Sequence, residues 1–420
     1  MATEIHLGSM TLTVPEDADL DGSFDRVLHT AGDRPNSVTL PALVDPADDH
    51  LDEQFRARRA DVEEKHRRVI EFLDCHGYHA VVLQRTDSVA WFTSGADLAQ
   101  TIASEQAAVL IYINRHSRAI ITDNVQSART FEEELAGLGF QLKERPWHEG
   151  VVRVIDELGH QKKVAADGPY RACIDEREAL RLVRHPLTKW ERHHLRMLGR
   201  TLSLAVEATC RNFQPGETEA DLAGHLAHRL LREGVTPLDL RISADDRLAR
   251  YREPRFKAAK IRKRATISAV GRRHGLCASV TRIVSFGKVE RPVREALALT
   301  AMVDATCIFF SRPGQTVADV FRRARRIYEK FDHVDEWALA YQGFQIGYSP
   351  REVLLLPDSR QSIVSDMAFN WCPSVGPTRS EDTIVVDDRG FEIVTEAQLW
   401  PKLEVMVKGF PISRPGILVR

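Results

Sequence analysis

Pro215-Gly216-Glu217-Thr218-Glu219-Ala220-Asp221 returns ninety-eight residues later as Pro313-Gly314-Gln315-Thr316-Val317-Ala318-Asp319. Each copy has a local job. The Pro-Gly pair makes a turn, Thr218 or Thr316 is placed to cap a helix, and Asp221 or Asp319 three positions on sits near that helix's positive end. Long helical patterns precede and follow both copies. One such signal is common, but two matching at six positions point to a duplicated half-domain in the second half of the chain.

Outward from the repeat, Leu182 to Glu191 reads as a junction, with Pro186 as breaker before a long helix. Ahead of it, apolar residues recur at helical spacing from Asp61 to Gly77, and His79 to Leu83 turns strand-like. Strands at Ala107 to Ile113 and Arg118 to Thr122, with helices at Ser127 to Leu138 and Gly150 to Leu158, complete an α/β domain ending near Leu180. The first sixty residues are acidic and broken by Pro15, Pro35, Pro41 and Pro46, and read as an irregular extension. The expected divisions are 1–60, 61–180 and 185–420.

At 420 residues two domains are the default, and a formal net charge of -2 excludes a globally basic nucleic-acid binder. The six cysteines (Cys75, Cys173, Cys210, Cys277, Cys307, Cys372) form neither a disulfide framework nor a zinc knuckle. With no leader-like start and no long apolar run, they lead to the expectation of a soluble cytoplasmic protein. The segment Arg247 to Arg264 is locally dense in arginine and lysine, with Glu253 as its lone acid. It suits an anionic ligand, an acidic partner or a solvated edge. Aromatic interleaving is limited to Tyr251 and Phe256, which argues against nucleic acid.

Val280-Thr281-Arg282, Gly343-x-x-Ile346-Gly347, Asn370-x-x-Pro373 and Arg379-x-Glu381-Asp382-Thr383, in that order, resemble the pita-bread family of methionine aminopeptidase, aminopeptidase P, prolidase and creatinase. Leu83 to Gly95 is similar to the strand-turn of the creatinase-type amino-terminal domain, and Arg184, Lys189 and Glu191 to the family junction. The resemblance covers roughly residues 62–395. It implies an α/β (α+β) fold, creatinase-like domain first and duplicated pita-bread domain second, and a homodimer.

In active members two aspartates eleven residues apart, one histidine and two glutamates hold two divalent ions that activate water. Here Ser268, Ser279, Phe344 and Cys372 stand at four of those positions, and only Glu381 matches. One carboxylate with two hydroxyls cannot offset the dehydration of a hard cation pair, so neither a metal nor another cofactor is expected. Creatinase chemistry uses a histidine in H-x-x-P, and the corresponding segment is Tyr251-Arg252-Glu253-Pro254. Arg351 stands where peptidases place another histidine.

The expected hollow therefore gathers Arg282, Arg351 and Arg379 with Ser268, Ser279, Phe344 and His274 around a small anionic or zwitterionic nitrogen compound. Against this stands simple filling of lost-ion space, with Arg379 paired to Glu381 or Asp382 and Arg351 to Glu352. If catalysis persists, it is metal-independent and of hydrolase or lyase type, with Cys372, Tyr251 and Glu381 as the candidate catalytic groups. Cys372 also reads as a buried inert thiol, Tyr251 as a structural hydrogen-bonder, and His274 as an exposed turn residue. Three readings remain open: a metal-free enzyme, a catalytically silent binding protein on the same scaffold, and an Xaa-Pro aminopeptidase.

Overall fold

β-branched and alanine residues fill Ala80–Arg85 (β3), Gln106–Asn114 (β4) and Arg118–Asp123 (β5), side chains that suit a pleated, covered surface. With Gln141–Arg145 (β6), Val164–Ala166 (β7) and Ile174–Asp175 (β8) they form a six-stranded sheet in the order β6-β5-β4-β3-β7-β8. The computed structural model describes residues 2–7, 10–15 and 49–420. Two units separate, residues 1–55 and 56–420. The first holds a hairpin, Ala2–Leu7 (β1) paired with Met10–Pro15 (β2), where an irregular extension is expected. The other residues before Asp49 lie outside the described residues.

The first long helix, Asp49–His76, starts twelve residues before its expected boundary. Its apolar stripe of Val62, Val69, Phe72 and Leu73 is buried in the main core, as periodicity requires. Lys65, on the same helix, is fully buried between Asp61 (2.6 Å) and Glu191 (2.8 Å). At the junction Arg184 joins Asp87 (3.0 Å) to Glu352 (2.6 Å), and Thr188 with Glu191 closes a capping box on helix Lys189–Asn212. Buried charge here is fully paired, because an orphaned partner would cost several kcal/mol.

The second sheet has nine strands. Thr236–Ala244 (β9), Arg264–Arg273 (β10), Leu276–Ser285 (β11), Gly343–Gln345 (β12), Val353–Leu354 (β13), Ala368–Trp371 (β14) and Asp382–Asp387 (β17) run in the order β13-β12-β14-β17-β11-β10-β9. Gly390–Ile393 (β18) pairs with β17, and Ile417–Val419 (β21) with β11. Ser374–Val375 (β15) with Thr378–Arg379 (β16), and Lys402–Val407 (β19) with Phe410–Pro415 (β20), make separate hairpins.

The sequence repeat is also a structural one. Thr218 and Thr316 both close capping boxes, with Asp221 and Asp319, on helices Glu219–Arg232 and Val317–Lys330. Each turn is held by the same bonds. Gly216 N donates to Ile261 O (2.7 Å) and Gly314 N to Ile363 O (3.1 Å), while Ile261 N and Ile363 N return to Glu217 O and Gln315 O, both at 2.9 Å. Helices Lys189–Asn212 and Arg291–Phe310 precede the two copies. The second pair of helices covers its own core of Val303, Val320, Phe321, Phe369 and Trp371. Two helix-backed strand sets thus meet where β11 lies beside β17, at Val280↔Asp382.

Candidate active site

Alternation along β11 sends Ser279 and Thr281 to one face of the sheet and Val280 and Arg282 to the other. On the first face the registers β9–β10 and β10–β11 set Arg241, Ser268 and Thr281 in one cross-strand row. Glu381, just before β17, extends that row through the bond from Thr281 N to its carbonyl (3.0 Å). The eleven-residue spacing of Ser268 and Ser279 now has a cause. Ser279 opposes Val270 across the hairpin, so Ser268 lies two positions further along on the same face.

Glu381 is fully buried and both its oxygens are engaged. Ser279 donates to Oε1 (2.5 Å), as do Asn370 Nδ2 (3.0 Å) and Arg241 Nη2 (3.3 Å), and Thr281 donates to Oε2 (2.5 Å). Since the single Thr281 hydrogen is committed there, Ser268 is the donor in its 2.6 Å contact with Thr281. Burial opposes ionisation of Glu381. The Arg241 and Arg379 guanidiniums and the two hydroxyls outweigh it and hold the carboxyl at about 2.

A second carboxylate, Glu253, receives Arg241 Nη1 (2.8 Å), Arg379 Nη2 (2.7 Å) and Arg351 Nη2 (3.2 Å). Burial raises its pKa, but Arg379 and Arg241 bring it below the usual carboxylate range. Arg241 therefore bridges Glu253 and Glu381 as their shared counter-ion. Arg379 Nη1 lies 3.9 Å from Glu381. Arg351 is half-exposed, with its guanidinium 4.8 Å from the Phe344 ring and 5.4 Å from that of Tyr341.

Several expected placements change. Arg282 turns away from Glu381, because its strand neighbour Thr281 takes the other face. It is buried against Asp382 (3.1 Å) and Thr395 O (2.8 Å), and Asp382 continues to Arg414 and Asp304. Tyr251 is 46% exposed, and its ring lies against Arg247 and Arg250. His274, at a left-handed turn (φ 51), faces His194 at 4.7 Å. Arg351 pairs with Glu253 rather than Glu352, since Glu352 is taken by Arg184. Cys372 is buried, its Sγ 3.5 Å from Tyr341 O, and burial followed by the Glu381 charge pushes the thiol up to about 12.

The basic segment is largely neutralised from outside. Arg247 pairs with Glu219, Arg252 with Glu336, Arg255 with Asp239, Lys263 with Glu290 and Arg264 with Asp246. Sequence reasoning missed Arg241 and the central role of Glu253. The available signals were a charged residue inside the strand run Leu238 to Ser243, and a lone acid among many cations.

The donors around Glu381 do not fit a metal pair. At the four positions where the resemblance implies anionic or imidazole ligands stand two hydroxyls, a phenyl ring and a protonated thiol, and the remaining carboxylate is spent on four donors. Among the described residues no three His, Cys, Asp or Glu side chains group as a metal site.

Residues 193–388 match Metallopeptidase family M24. The structure superposes on prolidase from Pyrococcus horikoshii OT3 with a TM-score of 0.69 at 17% identity, covering 80% of this chain and 99% of that one. Xaa-Pro dipeptidase from Bacillus anthracis gives 0.68 at 16%, covering 86% and 100%. The N-terminal domain of FACT complex subunit SPT16 from Cicer arietinum (chickpea) gives 0.60 at 11%, covering 82% and 97%. No curated protein sequence matches the chain. The chain therefore has the pita-bread fold of the prolidases, and residues 193–388 within it match the metallopeptidase family M24 model.

Proposed function

We propose that this protein is a catalytically silent, peptidase-like binding protein whose former metal centre has become an arginine-carboxylate cluster. One observation carries this reading: both oxygens of Glu381 are bound by Ser279, Thr281, Asn370 and Arg241. A carboxylate so engaged is neither a metal ligand nor a base, and a guanidinium already fills the position beside it. The candidate nucleophile Cys372 is buried and protonated, and Tyr251 is exposed with its ring against Arg247 and Arg250. The same scaffold occurs in the N-terminal domain of a FACT complex subunit as well as in prolidases, so the fold by itself does not dictate hydrolysis.

The test is hydrolysis of Xaa-Pro dipeptides with added manganese, cobalt or zinc. No turnover above the uncatalysed rate is expected. Metal-dependent turnover that Glu381→Gln abolishes would overturn the proposal.

A second reading rests on Arg351, which keeps half its surface free beside two aromatic rings. It is binding of a small anionic or zwitterionic nitrogen compound there. Calorimetric titration of amino acids and dicarboxylates should then show heat that Arg351→Ala removes. Equal results for both proteins eliminate it.

A further inference from the structure

The hairpin β19–β20 turns through Lys408 (φ 53) and Gly409 (φ 80), a two-residue loop of the type I′ kind. In such a hairpin the flanking pair, Val407 and Phe410, is hydrogen-bonded, and bonded pairs recur at every second position. Lys402, Glu404 and Met406 therefore point their amides away from β20, opposite Pro415, Ser413 and Pro411. Two of the three outward positions on β20 are prolines, which closes that edge to further pairing. The β19 edge has no such block. Among the described residues no group accepts from the Glu404 or Met406 amide.

Beside β19 lies a groove of about 550 Å³, bounded on the hairpin side by Val405 to Lys408 only. Met302, Phe310 and Ile327 give it an apolar lining, and Phe331 and Met406 are exposed at 42% and 63%. Its charged lining is Arg322, Arg323, Arg326, Lys330 and Lys408, with no acid. Arg322 is paired with Asp319, and Arg323 lies over Phe310 at 4.2 Å. Arg326 and Lys408 have no hydrogen-bond or ion-pair partner among the described residues.

We propose that this groove captures an extended acidic segment of a partner protein by adding it to β19 as a third strand. Backbone bonds to Glu404 and Met406 give affinity, and side-chain alternation gives specificity. Apolar residues of the added strand meet Phe310 and Ile327, and its acids reach Arg326 and Lys330. Glu404, the one acid on β19, does not line the groove. The groove shares no residue with the Glu381 cluster, so it stands whether or not that cluster is silent.

The test uses the full chain and a fluorescein-labelled eight-residue peptide alternating glutamate and valine, with a lysine-valine peptide as control. Anisotropy should show at least about tenfold preference for the acidic peptide, lost in the double variant Arg326→Glu, Lys330→Glu. Met406→Pro leaves the hairpin ladder intact, because that amide is not part of it, and should weaken binding about tenfold. Hydrogen exchange at Glu404 and Met406 should slow when the peptide binds. Equal binding of both peptides, or wild-type affinity in both variants, overturns the proposal. So does binding to phosphatidylserine vesicles that the acidic peptide does not displace.

Discussion

At the scale of single residues, the function of this site turns on which group supplies positive charge to Glu381. In a dinuclear peptidase that charge comes from ions, and here it comes from Arg241 and Arg379. Replacing Glu381 by glutamine removes one of the two carboxylates shared by Arg241 and Arg379, which keep Glu253. Glu381→Gln should therefore lose stability in urea unfolding at neutral pH, by less than the roughly 3–5 kcal/mol of a fully orphaned buried charge. The pH dependence has a definite sign. A carboxyl held at about 2, against an ordinary 4.5, contributes stability that is complete above the unfolded value and lost as pH falls toward 2. The gap between wild type and Glu381→Gln should shrink over that window, and a gap constant from pH 7 to 2.5 contradicts the assignment. Cys372 gives a second prediction. Ellman's reagent should reach exposed Cys75 in the native protein and Cys372 only after unfolding. Native-state modification of Cys372 at the rate of Cys75 would restore it as a candidate nucleophile.

At the scale of elements, the cap motifs were fully legible, because a capping box is made within four residues and needs no tertiary information. Thr218→Ala and Thr316→Ala should each cost about 1 kcal/mol, and serine at either position should restore most of it. No measurable loss from either alanine variant would show that the duplicated turns are held by their strand contacts alone. Strand facing was less well read. The two-residue period separates Thr281 from Arg282, yet the arginine was expected beside Glu381 from its place in the family-like Val280-Thr281-Arg282 motif. Gln141–Arg145 was missed as a strand because it is a largely exposed sheet edge without apolar alternation. The Arg351 pairing was not recoverable locally, since it depends on Arg184, far away in sequence, having claimed Glu352.

At the scale of the whole molecule, duplication explains both the fold and the position of the cluster. Two helix-backed strand sets meet at β11 and β17, and the seam places Ser268, Ser279 and Glu381 together whatever chemistry they carry. The strands are specified by caps, registers and cores outside those positions, so the frame does not depend on which side chains occupy them. No described helix is long and apolar enough to cross a membrane. The central claim is that arginine charge has replaced metal charge. Its most direct test is elemental analysis of the chain after incubation with manganese and zinc and dialysis against a chelator. The account predicts metal far below one ion per chain. Retention of about two ions per chain, lost on Glu381→Gln, would contradict it.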